Sequence, residues 1–146
     1  METVETVGHL VADSSFLSFA RFAVTSFFAI VFLQSSLNKI ADVDGNKAYL
    51  SDVFKDAPTL AGMIEPLFWA LTLLELAAGV FCGLGVITFS FVSGGFLARW
   101  GITFATFALL SLIFGARIAK DYATAGTVSG YFAVAMLGLL AFSIGR

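Results

Sequence analysis

Four long apolar runs constrain this chain more than any other feature: roughly Phe16–Leu37, Pro66–Ile87, Phe96–Ala116 and Gly126–Ile144. Each approaches the ~20 residues a helix needs to cross the hydrocarbon core of a bilayer. Lipid offers the backbone no hydrogen-bond partner, so only helices and closed barrels span it. Barrel strands alternate apolar and polar residues, whereas these runs are continuous. The expected fold is therefore all-α: a single integral membrane domain over residues 1–146. It should be a four-helix up-down bundle with helices at roughly 16–38, 66–88, 96–116 and 126–144. Composition agrees, because 59% hydrophobic and 12% charged residues depart from the ~45–50% and ~25% of soluble domains.

The connections carry their own signals. Ser14 or Ser15 can cap the first helix. Pro66 suits a first turn, with Glu65 at the positive end of the helix dipole. Gly94-Gly95 marks the break between the second and third helices. In Lys47–Ala57, apolar Tyr49, Leu50, Val53, Phe54 and Ala57 recur at helical spacing against charged neighbours. This predicts a short amphipathic interfacial helix, on the membrane surface or across the bundle mouth, ended by Pro58. Asp42-Val43-Asp44-Gly45-Asn46 reads as a turn; its Gly spacing does not match a calcium loop. Trp69, Trp100, Tyr122 and Tyr131 fall near helix ends, at headgroup level. Residues 1–13 carry no Lys or Arg, so the first run reads as an uncleaved anchor. Lys39, Lys47, Lys55, Arg117 and Lys120 fall on one side and Arg21, Arg99 and Arg146 on the other. That count favours both termini outside the cytoplasm.

Glu75 lies near the middle of the second run. A carboxylate at that depth costs about 3 kcal/mol on insertion scales unless it is paired, protonated or beside water. Arg21 and Arg99 are the candidate cationic partners. Paired, Glu75 stays charged; isolated, it takes up a proton and can carry it. Arg21 and Lys39, five turns apart, project from one face of the first helix, with Thr25 and Ser35 nearby. Gln34 and Asn38 form a further polar pair at i, i+4. These residues either build a polar pocket with Glu75 or mark a helix end entering the headgroups, where Lys39 snorkels. Gly79 and Gly83, and again Gly126 and Gly130, show the small-xxx-small spacing of close helix packing, expected within the chain rather than between chains.

Several chemistries find no residues. His9 is the only histidine and Cys82 the only cysteine, so no cluster for zinc, iron–sulfur or buried haem can form. No Gly-rich phosphate loop and no basic stripe for nucleic acid is present. No nucleophile–base constellation is visible, and no cofactor is expected to be bound by this chain itself.

The arrangement resembles the DoxX-like family of integral membrane proteins. An early Arg21 is followed by Phe32-Leu33 and Leu37-Asn38-Lys39-Ile40, then Tyr49-Leu50 and Pro58. Leu74-Glu75-Leu76-Ala77-Ala78-Gly79 and Gly83-Leu84-Gly85-Val86-Ile87-Thr88 complete the match, which covers roughly residues 21–88. Two positions depart from the pattern. Ser35-Ser36 stands where members usually carry glycine, and Phe89 follows Thr88 where members often carry Arg. The resemblance implies a bacterial inner-membrane protein near quinone chemistry, since the family takes its name from a small subunit of a membrane thiosulfate:quinone oxidoreductase. Two expectations follow. The first is a non-catalytic accessory subunit of a larger membrane complex, respiratory or quinone-linked. In it Arg21, Gln34, Asn38, Lys39, Glu75 and Arg99 would form the polar core or touch a quinone or lipid headgroup, and the partners would be lipids and other subunits. The alternative is a small proton- or cation-coupled transporter or channel using Glu75.

Overall fold

The structure, a computed structural model, describes residues 14–89 and 95–144. Helix α1 spans Ser14–Ala41. Thr25, Phe28, Phe32 and Ser36 recur on it at three- and four-residue steps and are all buried, which defines its inward face. Asp42 then caps α2 (Val43–Val53), its carboxylate accepting from the Gly45 N–H at 3.0 Å. The stretch read as a turn is therefore a helix start, because Asp42 satisfies the first free donors. For the same reason α2 begins four residues before the expected Lys47. Pro58 opens a single-turn helix, α3 (Pro58–Ala61), at a position where its missing N–H is not needed.

Helix α4 spans Ile64–Thr88, with Pro66 in its first turn. Helix α5, Phe96–Ile118, starts from Gly95, whose φ of 58° is left-handed and open to a residue with no Cβ. Gly94 lies outside the described residues. Lys120 then takes φ 58° past the end of α5. The Asp121 and Lys120 N–H groups donate back to Ala116 and Arg117 at 2.9 and 3.2 Å, closing a Schellman-type helix end. Asp121 also caps the next helix, α6 (Tyr122–Ser143), by accepting from the Thr124 N–H at 3.1 Å. One residue thus ends one helix and begins another, and α6 starts four residues before the expected Gly126.

Four of these helices are long and apolar enough to cross a membrane. The protein is an all-α integral membrane four-helix bundle with the short amphipathic α2 between its first two spans. α4 packs against both α1 and α5, α5 against α6, and α6 returns to α1. Glycines set the closest approaches: Gly79 lies on the Phe32–Leu33 backbone, Gly85 on Ala98 and Gly101 on Cys82. Phe28, Phe32, Ile102 and Leu109 fill the centre. Phe16, Phe19, Ile30, Ile87, Phe114 and Leu137 point outward, where lipid covers them. Gly126 and Gly130 also face outward, with no described atom within 4 Å of a Cβ built there. Their expected packing role within the chain does not hold, because α6 turns its Ala125, Val128, Ala135 and Gly138 stripe to its neighbours instead.

Candidate functional site

Phe68, Thr72, Glu75, Gly79 and Cys82 are buried on α4, a spacing that puts them on one stripe. Glu75 is 1% exposed. One turn beyond it, Gly79 lets the α1 backbone come against α4, so α1 side chains of modest length reach the carboxylate. Ser35 donates its hydroxyl hydrogen to Glu75 Oε2 at 2.9 Å. Lys39 Nζ donates to the same oxygen at 2.9 Å and to Ser35 Oγ at 2.9 Å. The serine accepts from Lys39 and gives to Glu75, which uses its single donor and one lone pair. The result is a closed triangle of cation, hydroxyl and carboxylate bridging two spans.

The triangle is asymmetric in access. The Lys39 side chain is 19% exposed, against 1% for Glu75. Lys39 stands in the last turn of α1, where its charge also offsets the negative helix end. The other buried hydroxyls are satisfied within their own helices: Thr25 by Arg21 O, Ser36 by Leu33 O and Thr72 by Phe68 O. Among the described residues no buried side-chain nitrogen or oxygen lacks a partner. From Glu75 toward the far end of the bundle the buried residues include Phe28, Phe32, Ala78, Cys82 and Ile102, and the buried polar group there among the described residues is Thr25, about 15 Å along α1 from Ser35.

The remaining expected site residues lie elsewhere. Arg21 sits five turns from Lys39, about 27 Å by helical rise. It donates from Nε to Ala141 O at 2.9 Å and from Nη2 to Ile144 O at 2.6 Å, with the guanidinium over the Phe142 ring. Arg21 therefore caps the carbonyl end of α6 and is not a partner of Glu75. Arg99 is in the first turn of α5, beside Ala98, which packs on Gly85. Gly85 is ten residues past Glu75, or about 15 Å along α4. Gln34 and Asn38 are exposed, each one residue and so about 100° off the face that carries Ser35 and Lys39. Gly83 makes an ordinary contact with Leu33, 3.6 Å from a Cβ built on it.

At the same end of the bundle, α4 extends past the end of α1, and the α2–α3 segment covers the overhang. Lys47 pairs with Glu65 at 2.6 Å and lies over the Phe68 and Trp69 rings, while the Trp69 indole N–H donates to Glu65 at 3.0 Å. Phe54 and Ala57 are buried here. Between this segment, α4 and α5 lies a cavity of about 310 Å³. Asp121 is at its edge, its carboxyl held below the usual aspartate range by hydrogen bonding to the Thr124 side chain and backbone. The sequence hinted at this region only through the amphipathic pattern of α2, and gave no sign of the cavity. Ser35 was visible as a neighbour of Lys39 at i, i+4, but its bond to Glu75 depends on the α1–α4 approach.

Comparison with protein-family models, with curated proteins and with solved structures finds no match to this chain.

Proposed function

We propose that this chain is a non-catalytic integral membrane subunit that docks onto a larger membrane assembly, of the quinone-linked or respiratory kind, in the bacterial cytoplasmic membrane. The closed Lys39–Ser35–Glu75 triangle carries the reading. The expensive intramembrane carboxylate is neutralised and bonded to a neighbouring span, an arrangement that fixes α1 against α4. A proton or cation leaving the triangle toward the far end passes the buried Phe28, Ala29 and Phe32 of α1 before the next buried polar group, Thr25. The quinone link is supported by the DoxX-like pattern of Arg21, Lys39, Glu75, Gly79 and Gly85 in the sequence.

Pull-down of the tagged full chain from its native membrane in mild detergent, with mass spectrometry and an optical spectrum, tests this. The expected result is stoichiometric co-purification with membrane subunits carrying redox chromophores, and weaker assembly in Glu75→Gln. A homogeneous preparation without partners, taking up protons in liposomes and losing that uptake in Glu75→Gln, overturns it.

A further inference from the structure

The cavity of about 310 Å³ is walled by Leu67, Leu71 and Leu74 of α4 and Leu112 of α5, and roofed by Leu50 of α2 and by Phe54. We infer that it holds one acyl chain of a membrane lipid. The first reason is the state of α2. This helix is amphipathic, yet none of its residues is buried. Its apolar Tyr49, Leu50 and Val53 border the cavity. Apolar atoms supply such a wall with dispersion contacts, and an apolar cavity does not recruit water.

The second reason is where the cavity opens. α4 and α5 are both spans, and the exposed Ala70, Ser111 and Phe114 on its wall turn it sideways toward the bilayer. Hydrocarbon is the medium at that mouth. Polar wall groups make little demand on an occupant: the Ser111 hydroxyl donates to Phe107 O at 2.9 Å, and Asp121 accepts from Thr124 N–H at 3.1 Å.

A hydrocarbon chain is flexible, asks for no hydrogen bond, and can seat a stretch of its length against this apolar wall while the rest stays in the bilayer at the mouth. The volume sits at the low end of the roughly 300–1,000 Å³ of small-molecule pockets. The inference is independent of the accessory-subunit reading.

Phe54 is 7% exposed, so an indole placed there meets lipid only through the cavity. Phe54→Trp, with Trp69 and Trp100 changed to Phe, is reconstituted as the full chain in liposomes of phosphatidylcholine brominated along its acyl chains. Quenching comparable to that of lipid-facing Leu84→Trp in the same background is expected; unquenched indole fluorescence from the Phe54→Trp protein overturns the proposal. Native mass spectrometry from mild detergent gives a second readout. One phospholipid adduct per chain is expected, falling roughly tenfold in Gly115→Leu, whose added side chain grows into the cavity beside Phe54. No adduct, an adduct of polyprenyl or peptide mass, or one indifferent to Gly115→Leu overturns it. If Gly115→Leu does not fold, quenching in the Phe54→Trp protein decides.

Discussion

Replacing Gly79 with Ala is expected to destabilise the bundle, and the structure sets the size of the effect. A Cβ at position 79 would stand 2.7 Å from Leu33 N and 3.0 Å from Phe32 C. Both are backbone atoms, so no side-chain rotation relieves the contact. Restoring a separation of about 3.5 Å moves α1 from α4 by about 0.8 Å. Ser35 and Glu75 meet one turn away at 2.9 Å; the same shift takes them to about 3.7 Å, beyond hydrogen-bond range. Lys39 can follow through its flexible stem, but Ser35 cannot. Overpacking costs about 1–3 kcal/mol and a hydrogen bond to a charged group about 1.5–3 kcal/mol. Better helix propensity for Ala returns about 1 kcal/mol. The net loss is about 1.5–5 kcal/mol, a fall in Tm of about 3–20 °C for a chain of this size. Thermal unfolding of the purified protein in mild detergent reads it. Gly130→Ala is the matched control: the same residue in the same sequence spacing, with no described atom within 4 Å of its Cβ, and a Tm at or slightly above wild type. A Gly79→Ala protein as stable as wild type, or a Gly130→Ala protein equally damaged, refutes the argument that close approach at Gly79 builds the site.

Three further outcomes are expected. Lys39→Met strands a carboxylate that is 1% exposed and should cost about 3 kcal/mol. Glu75→Gln should cost only about 1 kcal/mol, since Gln still accepts from Ser35 and Lys39 can turn outward; joint replacement by Met and Leu should recover most of the loss. Equal losses from the two single changes in denaturant unfolding would contradict this ordering. Arg21→Gln removes two bonds to the carbonyl end of α6, and faster amide exchange confined to its last turn, with a loss of about 1–2 kcal/mol, is the expected signature. Asp121 has a folded-state value below that of an ordinary aspartate, so its contribution is complete above the unfolded value and is lost as pH falls through the folded one. The Tm gap between wild type and Asp121→Ala should therefore be full at neutral pH and close below about pH 3.9; a gap that persists at lower pH argues against the cap.

Much of the architecture was legible because lipid leaves the backbone one local solution. Continuous apolar runs near 20 residues become helices whatever their neighbours do, and the expected second span, 66–88, matches Ile64–Thr88 to within two residues at its start. The helix starts that were missed, at Val43 and Tyr122, belong to helices opened by Asp42 and Asp121, and the expected end of the amphipathic helix at Ala57 falls instead at Val53. A capping Asp and a turn Asp have the same sequence, and only the backbone angles distinguish them.

The chain's sequence by itself determined that it spans a membrane with four helices, that a short amphipathic helix joins the first two, and that Glu75 is buried at a cost that something must offset. These are properties of single segments, fixed by length, periodicity and solvent. Only the tertiary structure decided what offsets the cost. Arg21, Arg99 and Lys39 are all cations in the sequence, and their distance from Glu75 depends on how two spans are aligned. The contact of Gly79 with the Phe32–Leu33 backbone sets that alignment. It brings Ser35 and Lys39 to Glu75, leaves Gln34 and Asn38 outside, and frees Arg21 to close the end of α6, because a helix turns 100° per residue and a register shift of one residue would present a different side chain.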